Sequence, residues 1–231
     1  MRALLLPVKD LRNAKQRLVG ILSPEERFAL AHAMLADTVR AMCGVQHADK
    51  VFVVTNYEPA MQAARENGWQ ILAEDRQISE SASVDDASRR IEALGFSAVL
   101  RIPLDLPLIQ SHDIHELLSI ESSAPSVVIV PSRDGTGTNA ILRTPPTLFP
   151  SHFGPGSFAK HSAEAAAAQA QIHRRRNAHL EMDVDDESDL RALLQHDLTG
   201  THTGAFLSGS SIAQRLLAAQ PHESARTASQ T

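Results

Sequence analysis

The sequence predicts an α/β fold, a mostly parallel sheet in three layers with helices on both faces. Short apolar runs rich in β-formers recur at residues 3–8, 51–54, 98–102 and 126–130. Near-continuous apolar strands of this kind mark a sheet covered on both sides. Helical patterns fill the intervals, and alternation of strand with helix implies parallel pairing through crossovers. Composition agrees: 231 residues, 43% hydrophobic and 21% charged, can bury a sizeable core and do not suit disorder, collagen or coiled coil.

Taken in order, the first strand, 3–8, runs into a basic segment. Ser23-Pro24-Glu25-Glu26 is a capping box with proline at the first helical position, and Phe28, Ala31, Leu35, Val39 and Met42 follow at helical spacing. After the strand 51–54, residues 59–66 form a second helix closed by Asn67-Gly68, and Gln70-Ile71-Leu72 is a short strand. Residues 84–94 form a helix ended by Gly95, 98–102 a strand, 111–119 a helix and 126–130 a strand. Residues 134–156 break the rhythm with a Gly/Thr turn, a short strand at 140–142 and a Pro/Phe/Gly-rich loop, an insertion long enough to suggest function. An Ala-rich helix at 157–170 and a final helix at 187–194 complete a single domain over 1–198. Residues 199–219 read as a C-terminal extension packing on it. Residues 220–231, rich in Ser, Thr, Ala and Gln without apolar periodicity, read as a disordered tail.

Charge narrows the function. Lys and Arg number 22 against 27 Asp and Glu, a net −5, which argues against non-specific binding to nucleic acid or to an anionic membrane. The apolar run at the start is too short for a membrane span and lacks a signal-peptide pattern, so a cytoplasmic location is the default expectation. The single cysteine, Cys43, falls on the apolar side of the first helix and reads as a buried structural thiol.

Five segments carry candidate chemistry. In Lys9-Asp10-Leu11-Arg12-Asn13-Ala14-Lys15-Gln16-Arg17, four cations follow the first strand directly, where an open α/β sheet binds its ligands; they can surround a triphosphate or simply form a solvated loop. Asp105, in Ile102-Pro103-Leu104-Asp105-Leu106-Pro107, is a lone carboxylate in an apolar stretch and must be paired or bind a cation. Asp183 and Asp185 point to one side of an extended stretch and can converge on a divalent ion with Asp105, while Asp186 and Asp189 suit helix capping. Asp134-Gly135-Thr136-Gly137-Thr138-Asn139 lacks the following helix that a dinucleotide fingerprint needs, leaving a phosphate-binding nest or a plain hairpin turn. Phe153-Gly154-Pro155-Gly156-Ser157 precedes a helix start, a ready anion site, with Ser157 as a plain N-cap the alternative. Of 11 histidines none has zinc-motif spacing, and only His161, one turn past Ser157, stands out. Arg174-Arg175-Arg176 reads as a solvated surface strand.

In order, Pro-Val-Lys…Ala-Lys-x-Arg-Leu, Asp-Leu-Pro-Leu, Gly-Thr-Gly-Thr-Asn, Phe-Gly-x-Gly-Ser-Phe…His and Asp-Val-Asp…Asp-Leu resemble the guanylyltransferases of deazaflavin coenzyme F-420 biosynthesis, over roughly residues 2–195. The resemblance implies a nucleotide-diphospho-sugar transferase-like fold of the molybdenum-cofactor-guanylyltransferase type. It implies transfer of GMP from GTP to phosphoenolpyruvate, 2-phospho-L-lactate or 3-phospho-D-glycerate, with Mg²⁺ on Asp105, Asp183 and Asp185. It further implies that Thr138, Gly154 and Ser157 hold the acceptor phosphate and that Lys9, Lys15 and Arg17 hold the nucleotide phosphates, Lys15 among the catalytic groups. The turn from Ser79 to Ser83 would then lie near the base. A related nucleotidyltransferase acting on a sugar phosphate or a molybdopterin is the neighbouring alternative, but the Leu-x-Gly-Gly-x-Ser loop of those relatives is absent. A non-catalytic nucleotide-binding module would have no use for three separated carboxylates. A homodimer is the commonest assembly for such a chain, and nothing in the sequence marks a dimer face.

Overall fold

The computed structural model describes residues 1–45 and 47–218. One seven-stranded sheet, ordered β3-β2-β1-β4-β6-β5-β7, is built from β1 (Arg2–Pro7), β2 (Lys50–Thr55), β3 (Gln70–Ala73), β4 (Ala98–Arg101), β5 (Ser126–Pro131), β6 (Thr138–Thr144) and β7 (Gln171–Arg174). Only β6 runs antiparallel to its neighbours, β4 and β5, so the sheet is mostly parallel as expected. The helices are α1 (Pro24–Cys43), α2 (Glu58–Glu66), α3 (Glu80–Ala93), α4 (Ser111–Ser119), α5 (Ser157–Ala167), α6 (Glu187–Leu193), α7 (His202–Ser208) and α8 (Ile212–Ala218). No helix among the described residues is long and apolar enough to cross a membrane. The expected tail at 220–231 lies outside the described residues.

Alternation along β1 divides the core into two faces. Leu4 and Leu6 pack with Ala31 and Leu35 of α1, Ala60 and Ala64 of α2, and Ile114 and Leu117 of α4. Ala3 and Leu5 turn the other way, onto Val84, Ala87 and Ile91 of α3. Farther along that second face, Ala165 of α5 closes over Val127, Ile129 and Ile141. A buried cation marks the seam: Arg143 of β6 donates to Ser88 Oγ at 2.8 Å and to the Phe149 carbonyl at 2.6 Å, with Asp85 at 3.4 Å.

The sequence pattern misplaces several boundaries. Helix α3 begins at Glu80, four residues early, because Ser79 Oγ accepts the Ala82 N–H at 3.1 Å and caps a turn that lacks apolar spacing. Strand β6 extends past residues 140–142 at both ends because it is paired on both edges. On α1 the Ser23 capping box is present, but Phe28 is exposed and Leu30 and Met34 are buried. The reason is tertiary. Leu30 and Met34 join a separate cluster with Leu18, Leu22, Leu190, Leu193, Leu207, Ile212 and Leu216, so α6, α7 and α8 cover a second side of α1. Cys43 corrects the reading of a buried thiol: it ends α1, is exposed, and its Sγ lies 3.0 Å from Asn67 Oδ1.

The C-terminal helices are locked to α1 by one carboxylate. Asp37 is fully buried, and its two oxygens accept the backbone N–H groups of His202 and Thr203 at 2.7 and 2.9 Å in the first turn of α7. Substituting Asp37→Ala strands two N–H groups in the interior and should lower unfolding free energy by about 2–4 kcal/mol. Urea denaturation of both proteins measures it, and a loss under about 0.5 kcal/mol, the usual size for an unremarkable surface change, would remove Asp37 from this role.

Candidate active site

In the sheet order, β1 lies between β2 and β4, and the chain leaves β1 for β2 and returns through β4 on the opposite side. Such a reversal opens a crevice beyond the carboxyl ends of the strands, where open α/β sheets take their ligands. The segment after β1 folds into two 3-10 turns, Leu11–Asn13 and Gln16–Leu18. Asp10 caps the first by accepting the Arg12 N–H at 2.9 Å and also pairs with the Arg12 guanidinium. Gln77 braces the loop, accepting the Asp10 N–H at 3.1 Å and donating to the Val8 carbonyl at 3.0 Å. Between the turns Lys15 takes a left-handed backbone, φ 54°, a conformation that costs a lysine about 1–3 kcal/mol.

That strain delivers the ammonium to the centre of the site. The Lys15 side chain is 6% exposed, and its Nζ donates to Asp105 Oδ2 at 2.8 Å and to Asp185 Oδ1 at 3.0 Å. Burial alone would lower the lysine pKa, but the two carboxylates outweigh it and raise it above the usual range. Burial pushes Asp105 up, and the Lys15 charge and hydrogen bond, with Arg101 behind, bring it below the ordinary carboxylate value. Asp183 has no such cation. Burial, with the charges of Asp105 and Asp185, pushes it up to about 6 against a hydrogen bond from Asn139 Nδ2 at 3.0 Å. The two acidic segments are stitched together where the Val184 N–H donates to the Asp105 carbonyl at 3.2 Å. Asp186 caps α6 in a capping box with Asp189, the capping role that the sequence suggested for these two residues.

A cleft of about 430 Å³ opens over this cluster, and Lys9, Lys15, Arg17, Ser83, Asp105 and Asp185 all line it. Lys9 and Arg17 are exposed at its rim. Ser83 lies in the first turn of α3 rather than in a free turn, its Oγ donating to the Ser79 carbonyl at 3.0 Å. Sequence reasoning missed Arg101, which also lines the cleft. Its guanidinium pairs with Glu80, donates to the Asn139 carbonyl at 3.2 Å and lies 4.1 Å from the centre of the Phe153 ring. The available signal was a charge interrupting the buried strand Val99-Leu100-Arg101-Ile102.

Arg101 links the cleft to the remaining candidates, donating to the Thr138 carbonyl at 3.4 Å and lying against Phe153, which precedes Gly154. Gly154 is exposed at φ 112°, whereas Ser157 is buried and begins α5 after the N-cap Gly156, which corrects the reading of Ser157 as the cap. The first two N–H groups of α5 are already used, Ser157 donating to the Gly154 carbonyl at 3.1 Å and Phe158 to the Thr136 carbonyl at 3.0 Å. The Gly/Thr turn is a hairpin between β5 and β6 rather than a nest. Asp134 accepts the Thr136 N–H, Ser132 Oγ accepts that of Gly137 and the Ser132 carbonyl that of Gly135, leaving none of the three for an anion. Thr138 is held differently. His161 Nε2 accepts the His152 N–H at 2.8 Å, so in the neutral ring Nδ1 carries the proton and donates it to Thr138 Oγ1 at 3.0 Å. The Thr138 hydroxyl proton is thereby free to donate to another acceptor.

The fold is of the nucleotide-diphospho-sugar transferase-like α/β type. A crystal structure from Desulfovibrio desulfuricans G20, described as a nucleotide-diphospho-sugar transferase, matches with a TM-score of 0.74 over 92% of this chain and 97% of its own, at 16% identity. A family model described as guanylyl transferase CofC like matches residues 1–225, and the chain belongs to that family. Among curated relatives, a phosphoenolpyruvate guanylyltransferase of Roseiflexus sp. (strain RS-1) is 36% identical over 83% of this chain and 84% of its own. A 2-phospho-L-lactate guanylyltransferase of Methanothermobacter thermautotrophicus is 33% identical over 88% of each chain. A 3-phospho-D-glycerate guanylyltransferase of Colwellia psychrerythraea is 30% identical over 85% of this chain and 93% of its own.

The buried ring of His161 makes a measurable statement about pH. Burial, with the positive charges of Arg143, His152 and Arg101, lowers its pKa from 6.5 to about 3. The folded protein therefore binds fewer protons than the unfolded chain between those values, and stability present above pH 6.5 is lost as pH falls through it. By pH 5 the loss amounts to about 2 kcal/mol. Denaturant unfolding at pH 7.5 and pH 5 should show wild type losing about that much more than His161→Gln; equal losses would mean that the ring is not buried in its neutral form.

Proposed function

We propose that this protein transfers GMP from GTP to a three-carbon phospho-acid of coenzyme F-420 biosynthesis (phosphoenolpyruvate, 2-phospho-L-lactate or 3-phospho-D-glycerate) with release of pyrophosphate. The observation that carries the reading is the Lys15 ammonium lodged between Asp105 and Asp185, beside Asp183, in a cleft rimmed by Lys9 and Arg17 at the reversal of strand order. Family membership supports the guanylyl donor, and the names of the curated relatives support the acceptor class.

In the reaction, an oxygen of the acceptor's phosphate attacks the α-phosphorus of GTP; a new P–O bond forms as the bond to the β-phosphate oxygen breaks, and pyrophosphate leaves with its electron pair. The attacking monoester has a second pKa near 6 and is already an anion at neutral pH, so no general base is required. The site must supply in-line positioning and charge neutralisation. Lys9, Lys15 and Arg17 hold the triphosphate, with Ser83 and the first turn of α3 beside the base. Thr138, whose proton His161 leaves free, holds the acceptor phosphate with Gly154 and Ser157.

Asp105, Asp183 and Asp185 offer the carboxylate oxygens that a hard divalent cation takes, but among the described residues they are not gathered into a ready three-ligand set, and an ammonium sits on two of them. Mg²⁺ held there would neutralise charge on the phosphates of the donor. Lys15 also prevents the carboxylates from repelling the incoming nucleotide.

Pyrophosphate release measured with GTP, Mg²⁺ and each acid in turn, and repeated with ATP and CTP, should show turnover with GTP and at least one acid. The three acids differ by little surface, so preference among them should span about 1–3 kcal/mol in kcat/KM. Asp105→Asn should retain its fold by circular dichroism and lose on the order of 100-fold or more in kcat. A folded protein that binds GTP yet is silent with all three acids, or an Asp105→Asn protein with near-normal turnover, would overturn the assignment.

A further inference from the structure

At the start of α4 a second cavity of about 660 Å³ is lined by Arg40, Gln110, His112, His179, His196 and Asp197, among others. His112 lies in the first turn of α4, and His179 comes from the segment that follows β7. Beside them Asp113 is almost fully buried. One ring nitrogen from each histidine and one Asp113 oxygen all lie within 4.8 Å of one another. His112 Nε2 is 3.2 Å from Asp113 Oδ1, and His179 Nδ1 is 3.0 Å from Asp113 Oδ2, with the two rings edge-on at 5.9 Å between centroids.

We propose that His112, Asp113 and His179 form a binding site for a divalent transition cation of the zinc, cobalt or nickel class. Two imidazoles and one carboxylate suit such ions, whereas an all-oxygen set suits magnesium, which separates this site chemically from the carboxylates of the cleft. The ligand that is hardest to position is already fixed. Asp113 Oδ2 accepts the Gln110 N–H at 2.8 Å, and Oδ1 accepts from Asn177 Nδ2 at 2.9 Å. Hydrogen bonds of this kind orient a ligating carboxylate while leaving it lone pairs for a cation. Asn177 in turn accepts the His179 N–H at 3.0 Å, holding the second histidine's backbone to the same frame. On binding, the cation takes the place of the proton between His179 Nδ1 and Asp113, and the neutral ring carries its proton on Nε2 instead. His196 lies on the wall of the same cavity. Because His179 stands four residues before Asp183, an occupied site would fasten the segment that carries two carboxylates of the cleft.

The test uses the full chain without an affinity tag, stripped with chelator and titrated with Co²⁺ alone. One Co²⁺ per chain should bind with visible absorption and be displaced by Zn²⁺. His112 is exposed and His179 partly so, and His112→Ala and His179→Ala should keep the wild-type circular dichroism and lose at least about tenfold in Co²⁺ affinity, while Asp105→Asn binds as wild type does. An absence of Co²⁺ binding in the wild type, an affinity unchanged in either histidine variant, or a loss of binding in Asp105→Asn would each overturn the site.

Discussion

Everything in the cleft depends on one ammonium group held between two carboxylates. Lys15 comes from the loop after β1, Asp105 from the loop after β4 and Asp185 from the extended approach to α6, so the contact joins points 90 and 170 residues apart. At 2.8 and 3.0 Å each pair gains about 6 kcal/mol of Coulomb attraction at an effective dielectric of ~20, offset by the desolvation of every partner. Charge does not balance. Two carboxylates, Asp105 and Asp185, hold a single lysine, and burial together with their charges raises the pKa of the third, Asp183. A site with surplus negative charge, rimmed by Lys9 and Arg17, suits a divalent cation that arrives with a polyanion rather than before it.

The rest of the fold supports that contact. Parallel strands bring the carboxyl ends of β1 and β4 side by side, and the single antiparallel strand brings the start of β6, with Thr138 and Asn139, to the same edge. Asn139 fixes Asp183, and the Asp105 carbonyl fixes Val184. Behind the basic loop, Leu18 and Leu22 are anchored in a cluster with Leu30, Met34 and the C-terminal helices, and Asp37 holds α7 against α1. The terminal helices thus stabilise the far end of the loop that carries Lys15.

What was legible in the sequence was local. Ser23 and Asp186 cap their helices through contacts within three residues, and the apolar strands announce a covered sheet. Asp105 was legible because a bare carboxylate in an apolar stretch has few physical options. What was not legible depends on partners distant in sequence. Cys43 is exposed because α1 ends there, beside Asn67, and Phe28 is exposed because the C-terminal helices select Leu30 and Met34 instead. The Gly/Thr turn spends its N–H groups on Asp134 and Ser132, which spacing alone does not disclose. Arg101 sits in a strand where periodicity expects an apolar residue, and its partners Glu80 and Phe153 come from two other elements. Lys15 was picked out as one of four cations, but its left-handed backbone, which singles it out from the other three, has no signature in residue type.

If the Lys15 ammonium holds the place that a divalent ion takes in the working site, then neutralising it should expose that place. Binding of Mn²⁺ to nucleotide-free protein, followed by electron paramagnetic resonance, compares wild type with Lys15→Met and with Lys15→Met carrying Asp105→Asn. Tighter binding by about tenfold or more in the single variant, equivalent to about 1.4 kcal/mol, and its disappearance in the double variant are the predicted result. A Lys15→Met protein that folds and binds Mn²⁺ no better than wild type would contradict the account.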